Sequence, residues 1–221
     1  MQRYLERTLE PGGLVPQQVR LTQVGEMWLR PGGRALRFSA VEELAVEKVA
    51  FSWRARIGIV PGIALQVLDH YEAGEGLLEV RLWGLLPMTS ARGADVSAGE
   101  ALRYLAELPW VPHAMLANSE LEWRELDAQT VEVGTAVGAT KVAMRLELDA
   151  AGDIVGASSG ARPRIEGKKT VPTPWAGRFA EYAEVGGLRV PTKGEVRWEL
   201  PDGRFTYWRG TITSLELDPP G

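Results

Sequence analysis

The amino-acid sequence predicts a mainly β (α+β) fold: one large curled antiparallel sheet, a half-barrel or open barrel, covered by a central helix. Three observations support this. Apolar and polar residues alternate with a period of two along most of the 221 residues, as in strands that bury one face. Turns rich in Gly and Pro separate about a dozen such runs. One long helical pattern interrupts the alternation near the middle of the chain, and a wide, twisted sheet needs such a cover on its apolar concave side.

We expect a single domain over 1–221, because a chain of this length buries roughly 70–75% of its unfolded surface in one globule. Neither a linker nor a low-complexity segment divides it. The predicted parts, in order, are an N-terminal helix in 1–13, antiparallel strands in 18–90, the central helix with the segment after it in 97–118, and antiparallel strands in 119–217.

The strand pattern is clearest in KVAFSWRARIGIV. Apolar side chains at every second position from Val49 to Ile57 share one face, whereas Arg54 and Arg56 take the other. In the C-terminal half, AAGD, EVGG and PDG are typical of hairpin turns. These runs therefore predict antiparallel strands with one apolar face.

The central helix is predicted from SAGEALRYLAEL. Ser97 and Glu100 have the spacing of a capping box, which predicts that the helix begins at Ser97. Pro109 predicts its end, because the residue before a proline is displaced from the helical region. After it, Pro112 is suited to the first residue of a further short helical turn that carries His113.

Composition excludes several classes of function. The net charge of −4 and the pI near 5.4 disfavour nucleic acid or an anionic membrane as a partner, since their binders normally carry a basic field. Without cysteine, disulfides, cysteine zinc sites and cysteine nucleophiles are excluded, and His70 and His113 alone do not make a multi-histidine centre. We predict no metal site and no cofactor.

The sequence also predicts a location. No apolar run approaches the roughly 20 residues of a membrane span, so no integral membrane segment is expected. The N-terminus lacks the apolar stretch of a secretory signal. We therefore expect a cytoplasmic protein, whose oligomeric state the sequence leaves open.

The leading functional hypothesis is the binding of a small hydrophobic or amphipathic molecule between the curled sheet and the central helix. Eight tryptophans are many for this length, and Trp110 and Trp175 follow prolines in loops, where aromatic side chains suit apolar ligands. The predicted ligand-binding residues are Trp110, Tyr71, Trp175, Arg54, Arg56 and Arg103.

The alternative hypothesis is a hydrolase that acts on esters or phosphoesters in the same cavity. His113 would be the general base, with Asp69 or Glu107 as its carboxylate partner and arginines to stabilise negative charge. No known catalytic motif supports this. Structural roles are the competing interpretation: Asp69 paired with Arg54 or Arg56, and His113 bonded to a backbone carbonyl. A third hypothesis is an interaction scaffold without a pocket.

The order of several segments resembles an uncharacterised bacterial family known only as a domain of unknown function. These segments are GEMWLR, FSWRARI, VLDHYEAGEGLLEVRLWGLLP, GEALRYLAELPWVPHAML, LEWRELD, PWAGRFAEYAEVGGLRVP and GEVRWELPDGRFTYWRG, of which R-Y-L-A-E-x-x-W-x-P is the most specific. The resemblance covers nearly the whole chain and implies no activity. The predicted architecture is also similar to the LolA/LolB-like half-barrels of lipoprotein carriers, which implies an apolar concavity that holds acyl chains.

Overall fold

The computed structural model describes residues 1–9, 12–167 and 169–218. In these ranges thirteen strands form one antiparallel sheet. The strands are β1 (Gln18–Met27), β2 (Leu36–Ala45), β3 (Phe51–Val60), β4 (Ile63–Glu72), β5 (Glu75–Leu82), β6 (Leu86–Arg92), β7 (Glu122–Asp127), β8 (Thr130–Val137), β9 (Thr140–Leu148), β10 (Ile154–Glu166), β11 (Lys169–Val185), β12 (Leu188–Leu200) and β13 (Gly203–Asp218).

Three helices and a 3₁₀ turn accompany the sheet in the same ranges. They are α1 (Gln2–Thr8), α2 (Ala94–Glu107), the 3₁₀ turn (Leu108–Trp110) and α3 (Ala114–Ala117). None of the helices in the described ranges is long and apolar enough to cross a membrane.

The strand order is β6-β5-β4-β3-β2-β1-β13-β12-β11-β10-β9-β8-β7. Successive strands pair as hairpins, and β1 pairs with β13 in the middle of the sheet. The edges are β6 and β7, the two strands that flank the helical region in the sequence, so the sheet curls without closing. The predicted half-barrel is confirmed.

The central helix α2 covers the concave face of this sheet. It contacts β4, β5 and β6 near one edge and β8, β9 and β10 near the other. Its apolar side chains Ala101, Leu102 and Leu105 are buried. One helix therefore spans the open side of the half-barrel, as the sequence predicts.

The predicted alternation is seen directly in β3. Phe51, Trp53, Ala55 and Ile57 are buried on the concave face, whereas the arginines between them are exposed on the convex face. This separation of faces decides which side chains can reach the space under α2.

The predicted capping box is wrong. α2 begins at Ala94, and its N-cap is Gly93, whose φ of 111° suits glycine. Ser97 lies inside the helix, where its hydroxyl accepts a hydrogen bond of 2.9 Å from the backbone N–H of Gly76 on β5. The Ser97 side chain therefore attaches the helix to the sheet and does not start the helix.

The helix ends near Pro109, but not in the predicted way. Leu108 keeps helical dihedral angles (φ −49°, ψ −32°), and Pro109 lies within the 3₁₀ turn that follows α2. The Pro109 carbonyl accepts a hydrogen bond of 3.0 Å from the buried hydroxyl of Tyr4 on α1. Pro109 thus lies in a tight 3₁₀ turn, and the next residue, Trp110, contacts β12.

Candidate functional site

A cavity of about 250 Å³ lies between the concave face of the sheet and the C-terminal half of α2. Most of its wall is apolar or aromatic. Its charged residues are Arg103 and Glu107 on α2, Asp69 on β4, Arg162 on β10, Arg178 on β11 and Glu195 on β12. The side chains that line it include Trp53, Asp69, Arg103, Ala106, Glu107, Trp110, Arg162, Trp175, Phe179, Tyr207 and Trp208.

Hydrogen bonds hold the aromatic wall in place. The Trp110 indole N–H donates to the Pro191 carbonyl at 2.9 Å, and the Trp175 indole N–H donates to the Tyr207 hydroxyl at 2.9 Å. The Trp110 ring meets Phe179 edge to face, with centroids 5.5 Å apart. Because their polar atoms are bonded elsewhere, the indoles present apolar surface to the cavity.

A stripe of three glycines makes room for these rings. Gly25, Gly210 and Gly194 are direct cross-strand partners on β1, β13 and β12. A Cβ atom on Gly210 would lie 2.3 Å from the Trp208 ring, and one on Gly194 would lie 3.1–3.2 Å from the rings of Trp208 and Trp110. Glycine within a strand often marks such a close approach. The stripe fixes the floor of the cavity.

The charged part of the site is centred on Arg103 of α2. Its guanidinium donates to three carboxylates, Glu42 at 2.8 Å, Asp69 at 2.6 Å and Glu107 at 2.9 Å. It lies 4.9 Å from the ring centroids of both Phe51 and Trp53, within the range of a cation–π contact. We call Arg103, Glu42, Asp69, Glu107 and Glu100 the Arg103 cluster.

Two acids of this cluster have raised pKa values, which favours their protonated forms. Burial raises the pKa of Glu42 well above its ordinary range, and neighbouring Glu107 raises it further. Burial likewise raises the pKa of Glu100, with a further contribution from Asp69. Asp69 Oδ1 and Glu100 Oε2 receive no hydrogen bond from N–H or hydroxyl donors of the described residues.

Arg103 supplies the positive charge at the centre of these acids. It interacts electrostatically with Glu107, Glu42, Asp69 and Glu100. A buried carboxylate without a partner is expensive, and contact with the guanidinium reduces that cost. The Arg103 cluster therefore joins α2 to β2 and β4 as a hydrogen-bonded unit.

Arg162 on β10 differs from Arg103 because, among the described residues, its guanidinium donates to no carboxylate. Its guanidinium lies 4.8 Å from the Trp175 ring centroid, and it donates to the Gly99 carbonyl at 3.2 Å. Within the described ranges it forms no ion pair closer than 4.0 Å. Arg162 therefore offers hydrogen-bond donors and positive charge at the wall of the cavity.

Five of the nine predicted site residues meet at this cavity. They are Asp69, Glu107, Arg103, Trp110 and Trp175. The predicted structural partner of Asp69 is wrong, since its carboxylate bonds Arg103 on the helix and not Arg54 or Arg56 on the neighbouring strand.

Arg54 and Arg56 do not join the others. They lie on the convex face, where Arg54 pairs with Glu43 at 3.0 Å, and they line a trough of about 690 Å³ that is wide open to solvent. The period of two that buries Trp53 places its neighbours on the opposite face. The arginines of β3 are therefore separated from the cavity by the sheet itself.

His113 and Tyr71 also lie outside the cavity lining. Half-buried His113 is the N-cap residue of α3, and burial lowers its pKa. Its Nδ1 atom has no hydrogen-bond partner among the described residues, and neither Glu107 nor Glu120 bonds to it. Tyr71 is buried in the core opposite Phe51. Nothing in this geometry supports a His–carboxylate pair, so the hydrolase hypothesis is unsupported.

The sequence analysis missed Arg162, Glu42 and the glycine stripe. The sequence did indicate a role for Glu42, because this residue occupies an inward position between Ala40 and Leu44 on an alternating strand. A charged residue at such a position needs a partner. The sequence contains no such indication for Arg162, since its position near Trp175 depends on a bulge in β10.

The family of unknown function DUF6544 matches residues 1–210. The chain belongs to this family. The resemblance predicted from the R-Y-L-A-E-x-x-W-x-P segment is therefore confirmed, and no curated protein matches the chain in sequence. Family membership supplies no activity.

Solved structures with a similar strand arrangement include a LolA-superfamily protein of Nitrosomonas europaea (TM-score 0.48, 10% identity, 100% of this chain and 92% of that one). A DUF1329-family protein of Desulfovibrio piger gives a TM-score of 0.46 at 11% identity, over 92% of this chain and 86% of that one. A putative outer-membrane lipoprotein-sorting protein domain of Vibrio parahaemolyticus gives 0.43 at 13% identity, over 90% and 85%. These likenesses concern the fold alone.

Proposed function

We propose that this protein binds a small hydrophobic or amphipathic molecule in the cavity under α2. One observation carries the proposal: a mainly apolar cavity of about 250 Å³ is walled by aromatic rings that hydrogen bonds and close packing hold in position. Protein interiors are otherwise packed to high density, so a preformed apolar space with a few polar groups is typical of a ligand site.

The size of the cavity limits the ligand. Sites for drug-sized molecules usually measure roughly 300–1,000 Å³, and this cavity is slightly smaller. A medium-chain aliphatic molecule or a compound of one or two rings therefore fits better than a complete phospholipid.

The charged groups favour an amphipathic ligand with an acidic end. The guanidinium of Arg103 already donates to three carboxylates, so it has little capacity left for a ligand. Arg162 has no ion-pair partner within the described ranges and keeps donors available. We therefore assign Arg162 to the carboxylate of the ligand, and Trp110, Trp175 and Trp208 to its apolar part.

Tryptophan fluorescence tests the proposal directly. We would titrate the protein with hexanoate, octanoate, decanoate and dodecanoate, and with the corresponding alcohols. Ala106→Leu on α2 places extra side-chain volume in the cavity, because Ala106 is buried at its wall. Ala94→Leu is the matched control, since Ala94 is exposed at the start of the same helix.

The expected result is a saturable change in the wild type and in Ala94→Leu. Ala106→Leu should bind at least about tenfold more weakly, as an obstructed site loses apolar contacts. The proposal is wrong if no compound in the series gives saturable binding, or if Ala106→Leu binds as tightly as the control.

A further inference from the structure

Apolar side chains are exposed together at one end of the sheet. This end is opposite to the end that α1 packs against. The β3–β4 and β5–β6 hairpins are neighbours there, because β4 pairs with β5 and the Trp83 N–H donates to the Ala64 carbonyl at 3.1 Å. We define the tip patch as Val60, Ile63, Trp83, Leu85, Leu86 and Met88. Leu85 is 81% exposed, Met88 60% and Trp83 53%.

The backbone holds Trp83 in this exposed position. Its φ is 51°, a left-handed conformation that bulky residues rarely adopt, and Gly84 follows with φ of 74°. The indole N–H donates to the Gly62 carbonyl of the neighbouring hairpin at 3.0 Å. The polar atom of the indole is therefore used within the protein, and its apolar ring remains at the surface.

Positive charge flanks the tip patch. The β1–β2 connection beside it carries exposed Arg30 and Arg34, and exposed Arg37 follows near the start of β2. The Arg34 guanidinium donates to the Ile59 carbonyl at the end of β3. None of these three arginines forms an ion pair within the described ranges. Around β1 to β6, the three segments at this end, 28–37, 57–68 and 80–94, contain no aspartate or glutamate. The β12–β13 hairpin, farther along the sheet, carries Asp202 and Glu199, and Glu199 bonds to Arg197 and Arg204. A chain of net charge −4 thus has a local basic surface.

We propose that the tip patch and its arginines dock this end of the sheet on a lipid bilayer that carries anionic phospholipids. Tryptophan and aliphatic side chains partition into the interface, while arginines attract anionic headgroups. A second copy of the chain is a poorer occupant, because a two-fold contact through these tips would bring the unpaired arginines of both copies together. The proposal differs from the expectation drawn from net charge, because net charge averages over opposite faces. The proposal does not depend on the cavity.

Vesicle flotation tests this inference with the full chain. The vesicles are phosphatidylcholine alone, and phosphatidylcholine with phosphatidylglycerol, each at low and high salt. The variants are Leu85→Gln with Met88→Gln, which removes apolar tips, and Arg30→Gln with Arg34→Gln, which removes charge. Leu116→Gln is the matched apolar control, since Leu116 is 68% exposed on α3. Circular dichroism checks that each variant is folded.

We expect binding to the anionic vesicles that weakens at high salt and on phosphatidylcholine alone. Each arginine near an anionic surface contributes roughly a fivefold factor, so the charge variant should bind about 25-fold more weakly. The apolar variant should lose at least about tenfold, and Leu116→Gln should bind as the wild type does. Failure of the wild type to bind anionic vesicles overturns the inference, as does unchanged binding of both patch variants. A dimer in sedimentation that the apolar variant abolishes also overturns it, because a second copy then covers the patch.

Discussion

Replacing Arg103 by methionine removes the cation that bonds the carboxylates of Glu42, Asp69 and Glu107. The arginine side chain is 15% exposed, and those of Glu42, Asp69 and Glu107 are 0%, 15% and 12% exposed. Removal of one partner from a buried ion pair costs about 3–5 kcal/mol, because the other charge stays buried without compensation. Methionine preserves much of the volume between Phe51 and Trp53, so the loss reports mainly on charge.

Urea unfolding followed by circular dichroism measures this loss. With a urea dependence of roughly 2–3 kcal/mol per molar, the midpoint should fall by about 1–2.5 M at neutral pH. Arg54→Met is the control, because Arg54 is 60% exposed in its pair with Glu43 and an exposed pair contributes about 0–1 kcal/mol.

The pH dependence gives the prediction a second test. Burial raises the pKa values of Glu42 and Glu100 and Arg103 lowers both, so without Arg103 these two carboxyls titrate at still higher pH in the folded state. Groups with a raised folded pKa stabilise the fold in their protonated form, and this contribution is lost as pH rises through the folded pKa. The difference between Arg103→Met and wild type should therefore shrink between about pH 7 and about pH 5. A variant as stable as Arg54→Met, or a loss that is the same at both pH values, would refute the role given to Arg103.

Three further predictions follow from the same geometry. Gly210→Ala should lower the free energy of unfolding by about 1–3 kcal/mol and change the near-ultraviolet circular dichroism, because its Cβ meets the Trp208 ring at 2.3 Å; Gly160→Ala, with nothing within 4 Å, should do neither, and equal effects would contradict the packing described. Arg162→Gln should weaken decanoate binding by about tenfold or more and leave decanol unchanged, since a charge-assisted hydrogen bond is lost; equal losses for both ligands in calorimetry would exclude a carboxylate at this position. Glu100→Gln should be neutral or stabilising in urea at neutral pH, because burial raises the pKa of Glu100 and so favours an uncharged side chain at this position; a large loss of stability would show that the acid is ionised.

The fold was predictable because its signals are local and repeated. Alternation along each strand decides which face is buried, and the single long helical run had to cover the concave side. Helix ends were less predictable: the Ser97–Glu100 spacing matches a capping box, yet Ser97 bonds Gly76 on a distant strand. The local rule assigns both residues to capping, but Ser97 makes a tertiary hydrogen bond and Glu100 belongs to the buried Arg103 cluster.

The candidate site was only partly predictable, because it depends on which strands meet. Asp69, Arg103 and Glu107 were predicted one by one, but their joint contact requires the curl of the sheet around α2. Arg54 and Arg56 were assigned against the alternation of their own strand, which places them on the convex face. His113 was singled out as one of two histidines, and rarity alone does not place a residue in a cavity.

Nuclear magnetic resonance of the indole N–H groups tests the central claim most directly, since the eight tryptophans report separately on the cavity and on the surface. On titration with decanoate, we predict saturable shifts for Trp110, Trp175 and Trp208, which line the cavity. Trp83 and Trp123, both exposed elsewhere, should keep their positions. Shifts confined to the exposed indoles, or unchanged signals from the three that line the cavity across the whole ligand series, would contradict the binding of a ligand beneath α2.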